Sequence, residues 1–110
     1  MPKIGYVKEA YDATICLALA AQSVGSTDGA KIAIALSKVC GGDGEKTTPG
    51  AAGVKSALTL VSDGKAVNFD GAATSLDWNA NGDIANGYID IWQYIDGNIK
   101  TLESKPFTLN

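Results

Sequence analysis

Apolar residues follow a helical spacing through the first half of the chain and an alternating one near its end. The spacing predicts a first helix over residues 10–23, apolar nearly all round and therefore packed on several sides. Gly25 fits its C-terminal stop. The run Ser26-Thr27-Asp28 is a cap signal for a second helix. In that helix Ile32, Leu36 and Val39 form one stripe, and Gly41-Gly42-Asp43-Gly44 ends it. Two helices joined by so few residues form an antiparallel hairpin. Thr48-Pro49 reads as an N-cap and first-turn proline. A third helix follows over residues 49–62, with Val54, Leu58 and Val61 on one face. Gly50 and Gly53 weaken its first turn by roughly 1 kcal/mol each relative to alanine.

The remainder is β-like. Ile4, Tyr6 and Val7 in the lead-in are expected strand or loop anchors. Residues 65–69 form a short extended piece. Leu76 and Trp78 flank a turn built from Asn79, Ala80, Asn81 and Gly82. Residues 87–95 (GYIDIWQYI) are the clearest strand. In it Tyr88, Asp90, Trp92 and Tyr94 alternate with Ile89, Ile91, Gln93 and Ile95. Asp96-Gly97 is a two-residue hairpin signal, with a return strand over residues 99–103. The fold class is α/β: three helices with a small sheet and a C-terminal hairpin, in a single domain over residues 1–110.

Composition narrows the chemistry. The chain has 110 residues, nine basic and twelve acidic, for a net charge of −3. All nine cations are lysines, and there is neither histidine nor arginine. A Ser-His-Asp triad, a Cys-His pair and a histidine-ligated zinc are thereby excluded. So is a bidentate guanidinium clamp. An acidic chain with scattered lysines is a poor nucleic-acid binder. The longest apolar run, residues 13–21 with one threonine, is too short to span a bilayer. It does not read as a signal peptide, since Lys8, Glu9 and Asp12 precede it and no cleavage motif closes it. The expectation is of a chain without an export signal, enzymatic activity, cofactor or metal.

From residue 10 onward the order of segments becomes specific. AYDA is followed by an apolar helix, GSTDG, a second helix, GGDGEKTTPG and a third helix. Then come DGKAVNFDGAAT, LDWNANGDIANG and an alternating strand with a DG hairpin. The ordered set resembles the C-terminal part of type I periplasmic solute-binding proteins, the leucine/isoleucine/valine-binding receptors of ABC transporters. The resemblance covers essentially the whole chain. It implies a partial lobe of a fold that has two α/β lobes joined by a hinge, so the chain reads as a fragment. One departure is local: Gly71-Ala72-Ala73-Thr74-Ser75 lacks the second glycine and the proline of the family's usual turn.

The resemblance implies that Tyr11 faces an interlobe cleft and touches the ligand, with Asp12 beside it placed for an ammonium group. The alternative is that Tyr11 is a packing residue and Asp12 caps the helix or complements its dipole. An exported parent, periplasmic or extracellular, permits a disulfide between Cys16 and Cys40. Against it, a hairpin centred near Gly25 places Cys16 opposite about Ala35, and a buried free cysteine is an ordinary core residue. Asp77, Asn79 and Asn81 imitate the first half of an EF-hand loop, but the twelfth position is Tyr88 rather than a carboxylate. Trp78, Tyr88, Trp92 and Tyr94 invite comparison with a sugar platform, yet alternation on a half-buried strand accounts for the last three.

The expected function is therefore that of part of a receptor that captures an amino acid or similar small solute and hands it to an ABC permease by hinge closure. The rival expectation is a non-binding structural remnant that self-associates, most simply as a homodimer through its exposed strand edges.

Overall fold

The computed structural model describes residues 5–109. Three α-helices, α1 (Val7–Val24), α2 (Gly29–Val39) and α3 (Ala51–Ser62), pack with four strands: β1 (Glu45–Thr47), β2 (Val67–Phe69), β3 (Asn86–Ile95) and β4 (Asn98–Thr108). β1 and β2 pair in parallel, with α3 as their crossover, and β3 and β4 pair antiparallel as a separate hairpin. The fold is α/β, as expected, but its strands form two small sheets rather than one.

α1 begins one turn earlier than its pattern predicts. Tyr6 and Val7 are not strand anchors: Tyr6 takes the N-cap position with φ 66°, and Val7 opens the helix, both exposed. Ile4 lies outside the described residues. Gly25, at φ 58°, stops α1, and the Ser26 N–H reaches back to the Ala21 carbonyl. That positive φ suits a residue without a Cβ. α2 starts where its cap signal lies, the Asp28 carboxylate accepting the Lys31 N–H at 3.0 Å. α1 is not covered all round. It buries Asp12, Cys16, Leu19 and Ala20 against α2 and α3 and leaves Ala13, Leu17 and Ala18 exposed. α2 and α3 supply neighbours for only one side of it.

α3 starts two residues later than expected. Its N-cap is Gly50, whose φ of 94° breaks the helical run that Thr48-Pro49 suggests. Gly53 is a steric requirement as well as a weak helix former: a Cβ there would collide with the Thr48 carbonyl. The inward face is Ala57 and Leu60 with Val54 and Val61 at its margins, while Leu58 points outward. β1 has the sequence EKT and no strand signature of its own. It is a strand because β2, buried at Val67, Asn68 and Phe69, offers it a partner.

The two cysteines join α1 to the end of α2. Cys40 is the C-cap of α2 in an extended conformation (φ −127°, ψ 120°), so a helical register count does not apply to it. Its Cα lies 6.0 Å from that of Cys16, and the pair forms a disulfide. Around this joint the Trp78 indole N–H donates to the Cys40 carbonyl at 2.8 Å, and the Gly41 N–H donates to Asn68 Oδ1 at 2.9 Å.

The hairpin turns at Asp96-Gly97 with φ of 51° and 75°, the doubly positive conformation favoured by this dipeptide. β4 runs five residues beyond its expected end. The register shifts between Ile91 and Trp92, leaving Leu102 as the extra residue of a bulge on β4. β3 is not half-buried as its alternation suggests. Tyr88, Trp92 and Tyr94 on one face and Ile89 and Ile91 on the other are all exposed, because β3 and β4 pack principally on each other. The arm gives the molecule a radius of gyration of 15.9 Å, against ~13 Å for a compact chain of this length.

The disulfide closes a loop with a sequence separation of 24. Loop-closure entropy for that separation corresponds to about 3 kcal/mol. Reduction, or the paired substitution Cys16→Ser and Cys40→Ser, is expected to lower unfolding stability by about that amount. Denaturant melts with and without reductant check this; coincident curves would count against it.

Candidate functional site

In parallel α/β sheets, ligands collect outside the carboxyl ends of the strands, where the chain turns into loops and helix starts. Here that edge comprises the residues after β1 leading into α3 and those after β2. The two exits are held together by the Asp70 N–H, which donates to the Thr47 carbonyl at 2.8 Å. α1 runs alongside and brings Tyr11 and Asp12 to this edge.

Tyr11 is half-buried, in the second turn of α1. Its hydroxyl accepts the Gly50 N–H at 2.9 Å, spanning 39 residues. The phenol therefore sits at the mouth of α3, with the exposed Gly50 beside it. Its ring also packs against the hydrophobic core. Packing and display at the strand-end edge are thus combined in one residue.

Asp12 is 2% exposed. Its Oδ1 accepts the Ala72 N–H at 2.7 Å and its Oδ2 the Ala73 N–H at 2.8 Å. A buried carboxylate needs such donors, because desolvating it without them is costly. Two successive N–H groups presented to one carboxylate pin the 71–75 turn to α1. Gly71 makes the approach feasible, since a Cβ there would press on Asp12 Oδ2 and the Thr74 carbonyl. The geometry gives Asp12 a positioning task, tying α1 to the exit of β2. The Thr47 hydroxyl, at the end of β1, is buried with no hydrogen-bond partner. No motif marks Thr47 or Gly50, and only the strand-exit geometry brings them to the site.

A second concavity, of about 300 Å³, lies between the outer face of α1 and the segment after β2. Ala13, Leu17, Leu36, Leu76, Trp78 and Ile84 line it, so its walls are apolar. Trp78 is committed there by its bond to Cys40 and by a bridge to Ile84. It is not grouped with Trp92 and Tyr94, which stack edge-to-face 5.7 Å apart on the hairpin.

The Asp77 loop folds on itself. Asn79 Oδ1 accepts from the N–H groups of Asn81 and Asp83, each at 3.0 Å, and the Asp77 carboxylate accepts from the Ser75 hydroxyl at 2.7 Å. This is an Asx-type turn. Tyr88, at the twelfth position, lies on β3. Among the described residues no three His, Cys, Asp or Glu side chains converge to hold a metal, and no helix is long and apolar enough to cross a membrane.

Two measurements follow from this geometry. Asp12→Ala strands two backbone donors and is expected to cost about 2–3 kcal/mol, with Asp12→Asn intermediate because it keeps one acceptor; urea melts of the three proteins check the order. Millimolar calcium is expected to leave the melting temperature where a chelator leaves it, and a rise of several degrees would show that the Asp77 loop binds the ion.

Residues 3–97 match the family described as the receptor family ligand binding region. Over 98 residues the chain is 36% identical to a chemotactic signal transduction system substrate-binding protein, BasB, of Halobacterium salinarum, a match covering 89% of this chain and 23% of that protein. The chain thus spans less than a quarter of the length of this relative. No solved structure matches it. With most of its length matched, and in an α/β arrangement consistent with a partial lobe of that fold, the chain belongs to the receptor ligand-binding-region family.

Proposed function

We propose that the chain forms one wall of the ligand cleft in an extracytoplasmic solute-binding receptor, and that the parent receptor captures an amino acid or similar small solute. The observation that carries this reading is the strand-exit edge. Tyr11 stands there at the mouth of α3, held by the Gly50 N–H, in a chain whose family is one of ligand-binding regions. An aromatic ring beside a helix start suits a ligand with both an apolar part and a carboxylate. Asp12 supports this wall by fixing the turn at Ala72 and Ala73. The work is binding and hinge closure rather than bond chemistry.

Two onward partners fit such a receptor. The resemblance to leucine/isoleucine/valine receptors favours delivery to an ABC permease. The name of the Halobacterium salinarum relative couples substrate binding to chemotactic signalling instead. A closed receptor presents one altered surface to either, so the ligand reading is common to both.

A single wall cannot enclose a small ligand, and affinity in such sites depends on enclosure. The 110-residue chain alone is expected to give no micromolar heat with a panel of free amino acids. In the receptor polypeptide that carries the complete ligand-binding region, the same calorimetric panel is expected to find a ligand. There Tyr11→Ala is expected to weaken it at least tenfold, and Tyr11→Phe much less. Unchanged affinity in Tyr11→Ala would remove Tyr11 from the site, and a complete receptor silent toward the whole panel would remove the solute class.

A further inference from the structure

The hairpin has two long outer edges of unequal character. β4 carries Lys100, Lys105, Pro106 and the bulge at Leu102. Lysines, proline and bulges are the features by which a strand edge refuses another strand. From Gly87 to its end β3 has no proline, no lysine and no extra residue, and its single charge is Asp90. It is also rich in aromatic and β-branched residues, with Tyr88 75%, Trp92 53% and Tyr94 67% exposed. We propose that β3 pairs antiparallel with β3 of a second copy of this chain, about a twofold axis at Ile91, giving a four-stranded sheet in the order β4-β3-β3-β4.

The register follows from the backbone. Ile95 and Asn98 close a two-residue turn, so they form a hydrogen-bonded pair, and the backbone groups of Ile95, Gln93, Ile91 and Ile89 face β4. Those of Tyr88, Asp90, Trp92 and Tyr94 face the open side. An axis at Ile91 sets that residue opposite itself in a non-hydrogen-bonded pair. Asp90 then exchanges hydrogen bonds with Trp92 of the second copy, and Tyr88 with Tyr94 of the second copy. An axis at Asp90 would bring two carboxylates face to face, which is destabilising. Moving the axis to Trp92 shortens the paired stretch. With the axis at Ile91, all of residues 87–95 pair, no like charges meet, and six aromatic rings share one face of the sheet. The pairing is isologous, so it closes at two copies. It stands independently of the ligand reading.

Light scattering on a sizing column at tens of micromolar is expected to give twice the chain mass of 11.3 kDa. The Asp90 N–H points to the open side, so Asp90→Pro removes a donor from the pairing edge and spares the bonds to β4. Ser104 lies opposite Asp90, and Ser104→Pro makes the same change on the outer edge of β4. The expected outcome is a monomer for Asp90→Pro and a dimer for Ser104→Pro. Independently of either proline, Ile91→Cys meets itself across the axis at a Cα spacing of about 4.5 Å, within disulfide reach. It is expected to cross-link to a dimer on oxidation, whereas Ile89→Cys, facing Gln93, is not. The proposal is overturned by a monomeric unaltered chain, by a dimeric Asp90→Pro, or by Ile91→Cys cross-linking no better than Ile89→Cys; if Asp90→Pro loses its helical circular dichroism, the cysteine pair decides.

Discussion

Four parts of the molecule are fastened at one dipeptide, Cys40-Gly41. The Cys40 sulfur is bonded to Cys16 of α1, and its carbonyl accepts the Trp78 indole N–H. The neighbouring Gly41 N–H donates to the side chain of Asn68 in β2. α1, the end of α2, the buried strand and the segment after it are therefore held by one covalent bond and two hydrogen bonds within two residues. A core of this size needs such a fastening. Its fully buried large side chains are few, chiefly Phe69, Leu19 and Val67, and small cores supply little net stability once chain entropy is met.

The Asp12 carboxylate makes a second fastening of a different kind. It is buried and satisfied by two consecutive backbone donors. Together the two joints tie α1 to the end of α2 and to the segment that follows β2. The strand-exit edge, with Tyr11 on Gly50, is consequently presented on a rigid base. On the proposed reading, such an edge contributes orientation without enclosing a ligand, so capture falls to the complete receptor rather than to this chain.

The hairpin obeys other rules. Among the described residues no layer covers either face, and its order comes from its own ladder, the Asp96-Gly97 turn and its root, where the Leu109 N–H donates to the Ala85 carbonyl. Two-stranded hairpins are marginal alone. The exposed rings of Tyr88, Trp92 and Tyr94 and the undefended edge of β3 are accordingly the part of the surface best suited to receive another strand.

Local signals in the sequence determined the three helices, the Asp28 cap, the Gly25 stop and the DG turn, because each depends on backbone chemistry within a few residues. The ordered segments also carried the family, and the absence of histidine and arginine carried the exclusions. Other features were set by long-range partners. β1 exists only because β2 lies beside it, and α3 starts after its N-cap Gly50 because φ there departs from the helix that Thr48-Pro49 invites. Cys40 meets Cys16 because the chain leaves the helical register at its C-cap. The alternation of residues 87–95 correctly marked a strand and could not say whether anything covers it. Periodicity reports which side chains share a face; burial depends on what else the fold brings to that face, and for β3, among the described residues, it brings chiefly β4.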